Sequence, residues 1–213
     1  SVTVVNLIAE SAKLTSAERA VAKAREADKM AKKFSVYLQI AARSNLLKTQ
    51  LKFDQNYEAL RTYLEFNKFL EQKNRWAEVV KNIETLSNYY ASKKLFASAI
   101  EKNKEAAAVA KEHAVAFDYW GNSIKLGDLY FAKGDFETAK KEFYAALELL
   151  KANPNASEKN YIINYRKIAE VQNQLQNYDE AIRANKEVLA RLENSQNTDA
   201  YTTQLNNLGY SYQ

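Results

Sequence analysis

The sequence predicts an all-α fold, a right-handed α-solenoid of antiparallel helix pairs with about five repeats and the first helix of another. The 213 residues contain only four glycines and one proline, too few turn residues for a strand-rich fold of this length. Apolar residues recur at spacings of three and four, as in Leu126, Leu129 and Tyr130, which is typical of amphipathic helices. A short pattern also returns about every 40 residues, and such a period indicates stacked helical units.

The repeating pattern consists of an aromatic residue, two further residues and a small residue. It occurs at Phe96–Ala99, Phe136–Ala139 and Tyr178–Ala181, with a weaker copy at Tyr57–Leu60 and the start of another at Ala17–Ala20. The last residues of these copies are separated by 40, 39, 40 and 42 positions. We interpret each period as one helical hairpin that buries its apolar face against its neighbours.

The pattern divides residues 1–213 into a single domain of approximate repeats. The predicted repeats are 1–34, 35–75, 76–113, 114–154, 155–196 and a partial 197–213. The predicted helices are 1–13, 16–33, 35–53, 56–73, 76–92, 95–112, 114–133, 136–152, 157–175, 178–195 and 198–213. Both ends of the sequence fall inside a first helix in this register, so we expect the chain to be a fragment of a longer protein.

The breaks between these segments contain residues that favour helix starts. Thr15 with Glu18 fits a capping box, Asp135 precedes Phe136, and Asn177 stands three residues before Glu180. Each offers a side-chain oxygen to the unpaired amides of a first helical turn. The single proline, Pro154, falls between two predicted helices, where its missing amide does no harm.

The stretch from Trp120 to Pro154 resembles a tetratricopeptide repeat. The matching residues are Leu126-Gly127, Tyr130, Gly134, Phe136, Ala139, Phe143 and Ala146, and the pattern begins again at Leu208-Gly209 and Tyr212. Small residues let two helices approach closely, so we interpret Gly127, facing Ala139 and Ala146, as a packing residue. The departures from the family pattern are Lys48 and Ile8 at the usual small position, Gln172 for a tyrosine, and Asn67, Asn103 and Asn185 at usually apolar positions.

The period of about 40 residues is longer than the 34 of this family and overlaps the range of HEAT and armadillo repeats. Both kinds of packing remain open for the N-terminal repeats. Longer helices, at about 1.5 Å per residue, can absorb the difference. Such long-helix variants are similar to those in peptide-sensing regulators, motor-cargo adaptors and the sensor regions of bacterial signalling proteins.

This resemblance implies that the first helix of each repeat lines a concave groove and binds a protein or an extended peptide there. The candidate groove residues are Asn45, Thr49, Lys52, Glu84, Asn88, Lys125, Asp128, Phe131, Arg166, Glu170, Asn173, Asn206, Asn207 and Tyr210. A carboxamide both donates and accepts hydrogen bonds, so recurrent asparagines suit a peptide backbone. The alternative is a solvated face whose charges pair along their own helices, such as Arg166 with Glu170.

The fourteen tyrosines divide into two predicted groups. Tyr90, Tyr130, Tyr178 and Tyr212 fall at packing positions of the repeat. Tyr89, Tyr119 and Tyr210 fall off that register, and we expect them to be exposed and available to a partner.

The sequence predicts no enzyme activity, no cofactor and no metal site. It has no cysteine and a single histidine, His113, without clustered ligands, and we interpret this side chain as solvated at a helix end. The four glycines stand singly, so no phosphate-binding loop is present. The net charge of +5 lacks the dense basic stripe of nucleic-acid binding, and no apolar run is long enough for membrane insertion. Compartment, cytoplasmic or periplasmic, and oligomeric state stay open.

Three functions fit these observations. The first is a non-catalytic protein- or peptide-binding scaffold, the sensing or docking region of a larger bacterial signal-transduction protein such as a histidine kinase or regulator. The second is a helical-repeat surface lipoprotein that binds a small solute. The third is a structural spacer between flanking domains.

Overall fold

The computed structural model describes residues 1–193, 203–205 and 208–209. Within these residues it contains helices and turns and no strand. The helices of residues 1–193 are α1 (Val2–Lys13), α2 (Ala17–Ala31), α3 (Val36–Lys52), α4 (Asn56–Gln72), α5 (Trp76–Ser92), α6 (Phe96–Glu112), α7 (Tyr119–Lys133), α8 (Phe136–Ala152), α9 (Glu158–Gln174) and α10 (Tyr178–Glu193). The predicted bounds are confirmed to within a few residues, except at the start of α7. The predicted helix over 198–213 falls largely outside the described residues.

The late start of α7 follows from the turn before it. Ala114 has a φ of +51°, which ends the preceding helical path because this region disfavours a side chain. The chain then stays irregular until Asp118, whose carboxylate accepts a hydrogen bond from the Gly121 amide at 2.9 Å. This cap, and not Ala114, sets the first turn of α7.

Two of the predicted helix starts can be compared with the structure directly. At α8 the Asp135 carboxylate accepts from the Thr138 amide at 3.1 Å, which confirms the predicted cap. At α2 the predicted capping box of Thr15 and Glu18 is not formed, so that prediction is wrong. Ser16 occupies the cap position there, without a side-chain capping bond.

The chain divides into two compact units, Ser1–Tyr89 with Ala108–Ala116, and Tyr90–Ala107 with Phe117–Gln213. In the first unit α1 packs on α2, α2 on α3, and α3 on α4, and α1 also touches α3. In the second unit α7 packs on α8, α8 on α9, and α9 on α10. The predicted class, an all-α solenoid of antiparallel helix pairs, is confirmed.

The turn from first to second helix has the same geometry in four repeats. Asp54, Lys94, Gly134 and Gln176 have φ values of +56°, +59°, +86° and +60°, and each stands two residues before a second helix. The amide that follows each of them donates to a carbonyl five residues earlier, as Asp135 does to Tyr130 at 2.9 Å. This bond satisfies a free carbonyl at the end of the first helix, as in a Schellman motif.

These left-handed residues correct the register of the second repeat. Asp54 corresponds to Gly134, so Leu47 and not Lys48 occupies the place of Gly127 in α3. Leu47 is 1% exposed, whereas Lys48 is exposed. The hydrophobic pattern placed this repeat one residue too far toward the C-terminus.

The same correction applies to the small position of α4. The fully buried small residue of each second helix is its fourth residue, namely Ala20, Ala59, Ala99, Ala139 and Ala181, all 0% exposed. Leu60, the predicted member of this set, is 45% exposed. Burial requires a side chain small enough for close helix packing, and Ala59 meets that requirement.

Gly127 is a packing residue, as predicted, but its partner is an aromatic ring. A Cβ atom at Gly127 would overlap the ring of Phe143. Phe143 is 1% exposed and belongs to a core cluster with Ala139, Leu147 and Ile168. The missing side chain therefore makes room for the largest residue of this core.

No helix in the described parts of the chain combines the length and the apolar character needed to cross a bilayer.

Candidate functional site

Several of the carboxamides fasten one helix of the protein to another and are not free to hold a peptide. Asn164 is 0% exposed; its Nδ2 donates to the Phe143 carbonyl at 2.8 Å, and its Oδ1 accepts from Trp120 Nε1 at 3.1 Å. Asn82, 4% exposed, donates to Asn67 Oδ1 at 2.7 Å. These side chains link a first helix to the second helix before it.

These side chains belong to a periodic row in the sequence. Asn82, Asn122, Asn164 and Gln204 each stand five residues before a small residue, at intervals of 40, 42 and 40. We call Asn82, Asn164 and Gln204 the clamp residues, because each makes a hydrogen bond to a distant part of the chain, whereas the Asn122 Oδ1 has no hydrogen-bond partner among the described residues. Gln204 is 0% exposed and donates to Asn185 Oδ1 at 2.5 Å. The sequence interpretation missed this row because it treated asparagine as a surface residue.

In the first unit the predicted groove residues differ in how far they are buried. Asn45 is half-buried and donates to Ser11 Oγ at 2.8 Å. Thr49 is only 5% exposed, so its assignment to an exposed groove is wrong. Lys52 and Asn88 are exposed and Glu84 is half-buried.

The groove assignment of Thr49 is wrong because the register predicted for α3 is shifted by one residue. In the corrected register Ser44 and Lys48 take the places of Ile124 and Asp128, and Thr49 takes the buried place of Leu129. An error of one residue rotates a helix by about 100°, which is enough to move a groove residue into the core.

In the second unit α7 and α9 place three charged groups together. Lys167 Nζ lies 2.8 Å from Asp128 Oδ1 and 3.5 Å from Glu170 Oε2. The side chains of Lys167, Asp128 and Glu170 are 31%, 45% and 50% exposed. We call Asp128, Lys167 and Glu170 the α7–α9 charge cluster. Lys167 was not among the sequence candidates, although it lies between two of them.

The ammonium of Lys167 is held in its charged form. Burial alone would lower the pKa of Lys167, but the hydrogen bonds that its ammonium donates to Asp128 and Glu170, together with the charges of these two carboxylates, outweigh burial and raise it. A protonated lysine between two carboxylates gives this face alternating donors and acceptors.

The other described candidates of the second unit lie on the same two helices, α7 and α9. Arg166 Nε donates to Gln204 Oε1 at 3.2 Å, and Asn173 has a buried Oδ1 without a hydrogen-bond partner among the described residues. Phe131 packs edge-on against Phe136 with a centroid separation of 5.1 Å, so its ring belongs mainly to the core. Lys125 is half-buried. Asn206, Asn207 and Tyr210 lie outside the described residues.

The tyrosine predictions are confirmed only in part. Tyr90 and Tyr130 pack against a core cluster as predicted, but Tyr178 is 48% exposed. Tyr119 is exposed as predicted. Tyr89 is half-buried, and its hydroxyl donates to Asp54 Oδ1 at 3.0 Å. Tyr210 and Tyr212 lie outside the described residues.

His113 does not lie free in solvent. Its ring stacks on Trp76 with a centroid separation of 3.4 Å and an interplanar angle of 4°. No group of three or more histidine, aspartate or glutamate side chains in the described parts of the chain is placed to hold a metal ion.

Repeated helix hairpins, joined by left-handed turns and packed through small residues, define an α-solenoid of helical-hairpin repeats. Residues 120–194 match the model of the tetratricopeptide repeat family. This part of the chain is similar to tetratricopeptide repeats, and the described helical hairpins around it share the fold of a solved tetratricopeptide repeat sensor.

Solved structures share this fold over nearly the whole chain. BtubC (BKLC) from P. vanneervenii is 18% identical, with 93% of this chain and 84% of that chain covered and a TM-score of 0.71. The signal transduction ATPase PH0952 from Pyrococcus horikoshii, which has a tetratricopeptide repeat sensor, is 17% identical, with 92% and 30% covered and a TM-score of 0.70. NprR in complex with its cognate peptide NprX is 15% identical, with 90% and 54% covered and a TM-score of 0.50. No curated protein sequence matches the chain.

Proposed function

We propose that the chain is a non-catalytic scaffold that binds a protein or an extended peptide, and that the α7–α9 charge cluster is part of its binding face. The observation that carries this proposal is the Asp128–Lys167–Glu170 arrangement, which joins two first helices of consecutive repeats. A peptide lying across these helices meets two acceptors and one donor in turn. Reproducible turnover by the purified chain would overturn the non-catalytic part of the proposal.

The cluster can exchange its internal ion pairs for peptide contacts at low cost. All three side chains are between about a third and a half exposed, and an ion pair of this exposure contributes roughly 0–1 kcal/mol. Carboxylates accept from peptide amides and the ammonium donates to peptide carbonyls. The cluster therefore suits an extended main chain whose own hydrogen-bonding groups are unpaired.

The finer part of the proposal is drawn by analogy with two of the similar structures. NprR was crystallised with a cognate peptide, and the repeats of PH0952 are described as the sensor of a signal-transduction ATPase. By analogy, we propose that this chain is the sensing or docking region of a larger bacterial signalling protein. The analogy rests on fold, because both identities are below 20%.

A peptide-display selection tests the binding face. Peptides are selected on the purified 213-residue chain and then titrated against a Lys167→Met and Glu170→Gln variant. The control variant is Glu137→Gln and Lys140→Met, because these residues form an ion pair of the same three-residue spacing in α8. We expect the selected peptides to bind the control normally and the cluster variant about tenfold more weakly, a loss of about 1.4 kcal/mol. Failure to select any peptide, or equal binding to all three proteins, would contradict the proposal.

A further inference from the structure

A cleft of about 180 Å³ opens between α8, α9 and α10, and none of the residues of the α7–α9 charge cluster lines it. Its walls are the rings of Tyr144 and Tyr165, and its floor consists of Ile168 and Ala184. Glu180, Arg183 and Glu187 of α10 complete the lining. Ile168 and Ala184 are 2% and 4% exposed, so the apolar part of the lining is deeply buried.

The preceding repeat shows how the equivalent place is filled. There Lys104 of α6 donates from Nζ to the Tyr130 hydroxyl at 2.9 Å and lies 5.5 Å from the centroid of that ring. The hydrogen bond that Lys104 donates to Tyr130, with a further contribution from the charge of Glu142 of α8, raises the pKa of Lys104 against the opposing effect of burial. This interface thus contains its own lysine, tyrosine and carboxylate.

One repeat later the same three positions hold Tyr144, Gln172 and Ala184. The correspondence is visible in the contacts, because Gln172 Nε2 donates to the Tyr144 hydroxyl at 3.2 Å, where Lys104 meets Tyr130 in the preceding repeat. Tyr144 stands at the position of Lys104, and Ala184, with only a methyl side chain, stands at the position of Glu142. The equivalent of the internal lysine is absent, and the cleft lies at this place.

Carboxylates remain beside the open space. Glu180 stands four residues before Ala184 and Glu187 three residues after it, so each lies about one turn of α10 away on the same side. Each pairs with an arginine of its own helix, Glu180 with Arg183 and Glu187 with Arg191. Glu180 and Glu187 are 46% and 49% exposed, and short-range pairs on a solvated helix surface hold their partners weakly.

The tyrosines on this surface also accept cations. The Arg191 guanidinium lies 4.8 Å from the Tyr165 centroid and 5.2 Å from the Tyr161 centroid. The negative face of a tyrosine ring attracts a positive charge at such distances. Aromatic walls, an apolar floor and flanking carboxylates together match a methylene stem that ends in an ammonium group.

We propose that this cleft is a second binding site and that it takes a lysine side chain from a partner protein. The stem lies over Ala184 against Ile168, and the ammonium lies between the tyrosine rings and one of the two carboxylates. The partner thereby supplies the cation that Lys104 supplies internally in the preceding repeat. The proposal does not depend on the peptide face of α7 and α9.

The test uses N-acetyl-lysine methylamide as the probe and amide NMR spectra of the whole chain as the readout. We expect saturable shifts at Tyr165, Ala184 and Glu187. N-acetyl-norleucine methylamide, which has a similar stem without the ammonium, is expected to bind about tenfold more weakly. Equal binding of the two probes, or shifts that avoid α10, would overturn the proposal.

Two variants block the cleft in opposite ways. Ala184→Glu restores the residue found at the equivalent position of α8, and Tyr144→Lys restores the internal lysine. Both are expected to weaken lysine binding about tenfold or more, although they change the net charge in opposite directions. Ala190→Glu is the control, because residue 190 is exposed and its equivalent in α8, Glu148, is already a glutamate.

Folding and the independence of the two sites are checked in the same series. Circular dichroism establishes that each variant is folded, and if one variant unfolds the other still decides the outcome. Unchanged lysine binding by a folded cleft variant would overturn the proposal. The Lys167→Met and Glu170→Gln variant is expected to bind the lysine probe as wild type does, which separates this site from the peptide face.

Discussion

Asn164 fastens α9 to α8 by donating from Nδ2 to the main-chain carbonyl of Phe143 at 2.8 Å. Its Oδ1 accepts from the Trp120 indole at 3.1 Å, so one fully buried side chain links three helices. Phe143 in turn fills the space left by the missing side chain of Gly127. The polar and apolar parts of this interface therefore meet at a single residue.

Asn164→Leu is expected to destabilise the second unit by about 2–3 kcal/mol, because it removes the partner of a buried carbonyl and of a half-buried indole. Urea unfolding followed by circular dichroism measures the loss. Asn88→Leu is the control, since Asn88 is exposed and its replacement should change stability by less than about 0.5 kcal/mol. Similar losses of stability at both positions would show that the hydrogen bonds of Asn164 do not stabilise the helix packing.

Gly127→Ala is expected to destabilise the chain by about 1–3 kcal/mol, because its new methyl group overlaps the buried Phe143 ring. Phe143→Leu alone creates a cavity and also destabilises. The double variant should lose less than the sum of the two single losses, since the smaller leucine leaves room for the methyl. A double-mutant cycle in urea measures this coupling, and strict additivity would show that the two residues do not compete for space.

The sequence was sufficient to predict the helices because their signals are local. Apolar spacing and turn residues act within a few positions, and Asp135 caps α8 as its sequence position indicates. The register of the second repeat was wrong because Tyr57 suggested an aromatic packing position, whereas it is 77% exposed. Close packing selects the small Ala59 instead, and that choice depends on a neighbouring helix.

The candidate site was harder to predict because a carboxamide gives no local sign of its partner. Asn164 and Asn88 look alike in sequence, but Asn164 binds another helix and Asn88 is exposed. Lys167 was overlooked for a related reason. Its position between Asp128 and Glu170 depends on how α7 packs relative to α9, which a single helix pattern does not contain.

The left-handed turn residues offer a route to higher stability. Lys94→Gly and Gln176→Gly are each expected to stabilise the chain by about 0.5–1 kcal/mol, because glycine adopts their positive φ without the steric cost of a side chain. Gly134→Ala is expected to destabilise the chain by about 1 kcal/mol. No atom would touch its new methyl group, so that loss is the backbone strain at a positive φ less the stabilisation that comes from a more restricted unfolded chain. Urea midpoints measure all three effects, and a destabilised Lys94→Gly protein would contradict the argument.

The cap of α8 predicts a specific dependence of stability on acidity. The hydrogen bond from the Thr138 amide lowers the pKa of Asp135 below its ordinary value, so the carboxylate is more acidic in the folded chain than in the unfolded one. Its contribution is complete above the unfolded pKa and is lost as pH falls through the lower folded pKa.

Asp135→Asn keeps a capping side chain but cannot titrate. Urea midpoints of wild type and Asp135→Asn are compared between about pH 6 and pH 2. Wild type should be the more stable protein at the upper end, where its charged carboxylate also meets the positive end of the helix dipole. The difference should shrink as the solution becomes more acidic, whereas a constant difference over the whole range would show that the charge of Asp135 does not contribute to the cap.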